Sequence, residues 1–294
     1  MLTHKQIVVI LNSKKHVELR QQIQRQRLKF NIRTLANYLH WMIVHNQSQK
    51  TFKQLYVTLY SSHSITIKYS TFMSNIKTIS PLMKYLFHAF NKTHRVKASM
   101  LINAVDSTLI EEKQGKSINN QDWVNERVTT RGAGKEKYHV CGSKGLIFIN
   151  RQKLVYFAEY MPINTSDHNI LKDTCNYNNA LKGIVLADRG FSNKIVRDRL
   201  IQHRNDIWHS DHKRCRLISP YARKYREQLT QKEKNLYKRR WMIETLFQKV
   251  KDVYSPTPLQ LHGRYTKQLK QAKFYATWLC YNADTLTASP RFLT

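Results

Sequence analysis

Apolar residues near the start of the chain recur at spacings of three and four. Leu28, Ile32, Leu35, Leu39, Met42 and Ile43 form one apolar face and predict a helix. Residues 52–60 and 70–79 predict two shorter helices around the polar, β-branched stretch 61–68, and Pro81 marks a break before an apolar segment at 82–90. From Met100 the pattern changes to short apolar runs between polar turns. Residues 101–106, 137–141, 146–149, 154–161, 183–188 and 216–219 read as strands, with tight turns at 142–145 and 150–152. Helical spacing returns at 166–177, which Ser166 or Asp167 would cap, at 192–203, and over a long helix from Gln228 to about Lys251, closed by Pro256 and Pro258. A last helix spans about 265–286. This alternation predicts an α/β fold with a mixed β-sheet flanked by helices, preceded by an all-helical region. The polar segment 91–95 separates the two patterns, which puts the helical region at 1–96 and the α/β region, with its C-terminal helix, at 97–294.

Charge narrows the function. Fifty Lys and Arg stand against nineteen Asp and Glu in 294 residues, a formal net charge of +31. Such an excess repels itself in a compact fold and suits a polyanionic partner, so an ordinary enzyme of small neutral substrates is not expected. The first 95 residues hold fifteen of the basic residues and a single acid, Glu18, so the acids gather in the α/β region. Lys68, Ser70, Thr71, Ser74, Asn75 and Lys77 are side chains that reach phosphates and base edges, and the two short helices around them look like a helix-turn-helix. A plain helical bundle with a solvated basic face fits the same pattern. No run approaches the roughly 18 apolar residues of a membrane span, and residues 1–18 lack the order of a secretory leader. Cysteines at 141, 175, 215 and 280 form no C-x-x-C pair and read as free thiols of a reducing compartment. The expectation is a soluble intracellular protein that meets nucleic acid.

Most acids of the α/β region sit among polar neighbours. Asp106 and Asp188 each close an apolar strand-like run, and ligands of open α/β sheets gather at strand ends. Glu244 lies in an apolar stretch of the long helix. Three converging carboxylates would repel one another unless a divalent cation neutralised them. Hard oxygen ligands with no Cys or His beside them point to Mg²⁺ or Mn²⁺ rather than zinc. Glu159 has a similar apolar setting, for which a salt bridge on a strand face is the simpler account. On a continuous helix at about 100° per residue, Tyr237, Arg240, Glu244 and Lys251 fall within an arc of about 60°. Leu236, Met242, Ile243, Leu246 and Val250 lie roughly opposite, while Trp241 and Arg239 fit this division poorly.

These residues carry a resemblance. Tyr237-x2-Arg240-x3-Glu244-x6-Lys251 matches the Y-(2)-R-(3)-E-(6)-K signature of bacterial insertion-sequence transposases of the DDE type. Asp106-Ser107-Thr108 resembles the first catalytic motif of that family, and the run from Leu186 through Asp188 to Phe191 resembles the second. The three motifs follow the family's order over about residues 98–285, and the resemblance implies an RNase H-like catalytic domain. It implies that Asp106, Asp188 and Glu244 are the catalytic, metal-binding triad for Mg²⁺ or Mn²⁺, with two ions. It implies that Tyr237, Arg240 and Lys251 hold phosphates of the transposon end. Arg189 and Phe191 resemble the residues after the second Asp, where some members stack an aromatic on a displaced base. The short stretch between Asp188 and Glu244 leaves no room for the large β-rich insertion of some members, as in a compact subgroup.

The resemblance further implies metal-dependent cleavage at transposon DNA ends and strand transfer into target DNA, through in-line displacement at phosphorus. The implied partner is double-stranded DNA, bound by a homodimer or larger synaptic complex in the bacterial cytoplasm, associated with the nucleoid, with no membrane involved. A catalytically inactive or repurposed DNA-binding protein, and an RNase H-like nuclease without strand transfer, are the alternatives. His209-x2-His212-x2-Cys215 has ligand-type residues but lacks the second pair of a zinc site. No G-x-S-x-G turn and no G-x-x-x-x-G-K-[ST] loop occurs, so neither serine nucleophile nor ATP is indicated.

Overall fold

A computed structural model describes residues 2–26, 30–48, 52–111, 126–128, 138–140, 142–162, 165–166, 184–187, 191, 216–218, 231–253 and 267–288. The helices are α1 (His4–Asn12), α2 (Val17–Arg25), α3 (Ile32–Ser48), α4 (Phe52–Ser61), α5 (Tyr69–Ile79), α6 (Leu82–Thr93), α7 (Gln231–Tyr237), α8 (Trp241–Val253) and α9 (Lys267–Ala288). The strands are β1 (Ile102–Glu111), β2 (Glu126–Val128), β3 (Tyr138–Val140), β4 (Gly142–Asn150), β5 (Val155–Pro162), β6 (Ile184–Ala187) and β7 (Arg216–Ile218). Two compact units result: residues 1–95 with 250–294, and residues 96–249.

The first unit is helical. The spacing that predicts α3 buries Leu35, Leu39, Met42 and Ile43; Ile32 opens the helix on an exposed side, and Leu28 lies outside the described residues. α1 and α2 were not anticipated. A capping box starts α1: the Gln6 N–H donates to Thr3 Oγ1 at 3.3 Å, and the Thr3 N–H donates to Gln6 Oε1 at 2.8 Å. α5 buries Phe72, Ile76 and Ile79 and leaves Ser70, Thr71, Ser74, Lys77 and Thr78 exposed.

α9 packs against α3 and α6 and falls in one compact unit with residues 1–95. Leu269, Ala272, Phe274, Tyr275, Ala276, Trp278, Leu279, Cys280 and Ala283 are all buried, which covers most of the helix circumference and demands apolar partners on several sides. Inside this contact the Asn282 Nδ2 donates to Asn91 Oδ1 at 2.9 Å, so a buried amide pair fixes α9 against α6. Burial pushes the Cys280 thiol far above its ordinary range, as befits an inert core cysteine. Nearby, His45 stacks on Phe52 with ring centroids 3.8 Å apart, and its Nε2 is buried without a hydrogen-bond partner. Burial, and then the charge of Lys273, lower the His45 pKa to about 4; burial lowers that of Lys273 to about 8.

The second unit holds a five-stranded sheet in the order β5-β4-β1-β6-β7. β4 is antiparallel to both β1 and β5, whereas β6 is parallel to both β1 and β7. An antiparallel meander followed by parallel strands on the far side of β1 makes the sheet mixed, as the sequence pattern predicts. β2 and β3 form a separate antiparallel pair. The central strands are near-continuous apolar runs because both faces are covered: Ala104, Val105, Leu146 to Ile149, and Val185 to Ala187 are fully buried. Asn103, also buried, holds the entry to β1, accepting from the Ser99 N–H at 2.7 Å and donating to the Ser99 carbonyl at 2.8 Å.

Three local expectations are corrected. β1 does not end at Asp106 but runs to Glu111, because β4 pairs with it along that whole length. For the same reason residues 142–145, read as a turn, are strand: Gly142, Ser143, Lys144 and Gly145 pair with Glu111, Ile110, Leu109 and Thr108. The long helix is interrupted, since Lys238–Arg240 form a 3₁₀ turn between α7 and α8. The expected turn after β4 forms, with Lys153 at φ 63°. Apart from Ser166, the helices expected at 166–177 and 192–203 lie outside the described residues. Among the described residues no helix is long and apolar enough to cross a membrane.

Candidate active site

β1 carries Asp106 past the end of its parallel partner. Val105 pairs with Ala187, the last residue of β6, while Asp106 itself pairs across with Ile147 of β4. The carboxylate is thus held on a rigid central strand at the point where the parallel ladder stops. The Ser107 N–H donates to Asp106 Oδ1 at 2.8 Å, and Arg240 Nη1 lies 3.6 Å from Asp106 Oδ2. Arg240 also donates through Nη2 to Glu244 Oε1, one helical turn further on. One guanidinium therefore joins an acid of the sheet to an acid of α8.

Local sequence explains this placement. Met242, Ile243, Leu246 and Val250 form the buried side of α8, which leaves Glu244 on the outer side, 53% exposed. A 3₁₀ turn winds about 120° per residue rather than about 100°, so it rotates Arg240 relative to a continuous helix. Arg240 and Asp106 are both largely buried, at 20% and 19% exposure, so their attraction is less screened by water than that of Arg240 for Glu244.

The other predicted residues divide into three groups. Tyr237 ends α7 and is half-buried, and Lys251 belongs to α8, its side chain lying outside the description. Asp188 and Arg189 lie outside the described residues, as do His209, His212 and Cys215. Phe191 is fully buried, so its ring has no open face for a displaced base and acts as core. In the helical unit, Lys68 immediately precedes α5 and Lys77 is in its last turn, both exposed. Glu159 lies on β5, separated from β1 by β4.

Trp241 was not foreseen as part of this region. It opens α8 next to Arg240, is 53% exposed, and has the Lys153 ammonium 5.2 Å from its ring centroid. Its poor fit to the helical arc was the available signal.

Residues 97–282 match a family model described as Transposase DDE domain. The chain belongs to that family. The DDE domain so defined begins just before β1 and ends within α9, and it contains Asp106, Arg240 and Glu244. No curated protein matches the chain. Among solved structures, one described as "Mos1 transposase paired-end complex with left transposon end" is 11% identical, the match spanning 92% of this chain and 78% of that one with a TM-score of 0.23.

In the transposase DDE domain the acid pair fits a hard divalent cation. Its donors are carboxylate oxygens without sulfur or imidazole among them, and they already gather around one cationic group. Among the described residues no cluster of three or more acids, His or Cys forms; Asp188, the other acid singled out by the resemblance, is not one of them.

Proposed function

We propose that this DDE-family transposase cleaves DNA at transposon ends and transfers the strand into target DNA, with Asp106, Asp188 and Glu244 as ligands of Mg²⁺ or Mn²⁺. The observation that carries the proposal is the meeting of Asp106 and Glu244 on Arg240, two acids 138 positions apart in order of motif but joined by a single side chain. The strand register supports the third: Ala187, which precedes Asp188 in sequence, is paired with Val105, which precedes Asp106. When bound, the ions supply Lewis acidity for an attacking water or 3′-hydroxyl and for the leaving oxygen.

The chain's own residues bind and orient. Asp106 is fixed by its strand and by the Ser107 N–H, so little reorganisation accompanies the reaction. Tyr237, Arg240 and Lys251 hold the phosphates flanking the cut, and Lys153 with Trp241 extends that surface by a cation and an exposed ring. Lys68 and Lys77 on either end of α5 grip a second stretch of duplex, with the hydroxyls between them facing base edges. The net charge of +31 supplies sequence-independent affinity, which weakens steeply with salt. Joining two ends calls for a homodimer or larger synaptic complex.

The test is incubation of the purified protein, with Mg²⁺ or Mn²⁺, with labelled duplexes made from the DNA bordering the gene, beside Asp188→Ala. Cleavage at a fixed junction that disappears in Asp188→Ala, followed by joined products when target DNA is added, is the expected result. Cleavage without joining would replace the proposal by a nuclease. Binding without cleavage under either metal would replace it by a DNA-binding relic.

A further inference from the structure

The cation already present between the two acids has a consequence for how the site loads. Arg240 reaches Asp106 through Nη1 and Glu244 through Nη2, so the two arms of one planar guanidinium serve two carboxylates. Without a positive charge between them, two carboxylates so placed would repel and one would tend to take up a proton. A guanidinium that spans them removes that repulsion and is itself largely buried, at 20% exposure.

We infer that Arg240 is a built-in counter-ion that competes with the divalent cation for the oxygens of Asp106 and Glu244; this rests on those acids being metal ligands. A cation that takes both oxygens must displace the guanidinium. The measured metal affinity is then the intrinsic affinity multiplied by the fraction of molecules in which Arg240 has let go. Linkage makes the effect reciprocal: metal loading frees the donors of Arg240, and an anion that captures Arg240 raises metal affinity. A DNA phosphate beside the acids is such an anion. Arg240 thereby couples metal loading to the presence of DNA, and the apo site stays neutralised until both arrive.

This role differs from that of a residue that only holds phosphate. A pure phosphate contact, when removed, leaves metal binding in the absence of DNA unchanged. A counter-ion, when removed, tightens it.

The experiment is calorimetric titration of Mn²⁺ into the full-length protein without DNA, repeated by the loss of the free-Mn²⁺ resonance signal. Wild type, Arg240→Gln, Arg240→Lys and Asp106→Asn are compared. Arg240→Gln is expected to bind Mn²⁺ about tenfold more tightly than wild type, the value for a site open one-tenth of the time. Arg240→Lys, which keeps the charge but cannot span both acids, is expected to fall between them. Asp106→Asn should lose binding. Should Arg240→Gln fail to fold by circular dichroism, Arg240→Lys against wild type carries the same comparison. If the Arg240 variants bind no more tightly than wild type while Asp106→Asn abolishes binding, competition is wrong and the acids remain metal ligands. If Asp106→Asn binds Mn²⁺ as wild type does, or if wild type and the Arg240 variants all fail to bind it, the metal assignment itself is wrong and the inference goes with it.

Discussion

His45 is held where a proton is unwelcome. It is only 7% exposed, its ring lies flat on Phe52, and burial together with the nearby Lys273 charge lowers its pKa to about 4. The unfolded chain would bind that proton near pH 6.5. Between those two values the unfolded state holds a proton that the native state lacks, so stability falls as pH falls through the window. One such proton is worth up to about 1.4 kcal/mol per pH unit. His45→Leu should therefore lose less stability than wild type between pH 6.5 and pH 4.5, measured by urea midpoints; parallel losses in the two proteins would count against it. Other side chains differ in how far sequence reveals them. That Asp106 and Glu244 lie on one guanidinium agrees with the convergence the family resemblance implies, since no local spacing connects a strand residue to one 138 positions later. Phe191 was read as a DNA contact from its position after the second Asp, yet it is fully buried. Motif position records where a residue falls in the chain, whereas burial depends on which distant segments cover it.

Elements were legible where local chemistry decides them. The turn after β4 is one: Asn150 Oδ1 accepts from the N–H groups of Gln152 and Leu154, each at 3.0 Å, and its Nδ2 donates to the Lys97 carbonyl at 3.0 Å. Asn in such turns substitutes for backbone partners. Asn150→Ala removes these bonds and leaves the buried Leu154 N–H unpaired, so a loss of about 1–3 kcal/mol is expected in urea unfolding. A change below a few tenths would show that water replaces the side chain without cost. Residues 142–145 were misread because Gly, Ser and Lys favour turns locally, while pairing with β1 decides their state. The break between α7 and α8 was hidden for a related reason. Arg239 and Trp241 were the misfits on a continuous wheel, and they flank Arg240 at the junction where the winding changes.

For the whole molecule, the order of patterns along the chain suggested two consecutive regions. The sequence pattern could mark α9 as helical and apolar, but not which neighbours its buried side would find. In the fold those are α3 and α6, so the helical unit is assembled from segments on either side of residues 96–249. Residues 1–95 alone would leave the faces of α3 and α6 that meet α9 uncovered. The fragment 1–95 should accordingly bind a hydrophobic dye and melt without a cooperative transition, whereas 1–95 joined by a flexible linker to 250–294 should melt cooperatively. A sharp melt of the short fragment without dye binding would contradict this division.

This arrangement also sets a timetable for biosynthesis. A chain emerging from the ribosome can complete residues 96–249 before α9 has been made, but not the unit to which its first ninety-five residues belong. Helices α1 to α6 must wait for α9, with apolar surface open in the interval. Slow or interrupted translation before α9 would then yield chains with residues 96–249 complete beside an unfinished helical unit, a natural target for chaperones and proteases.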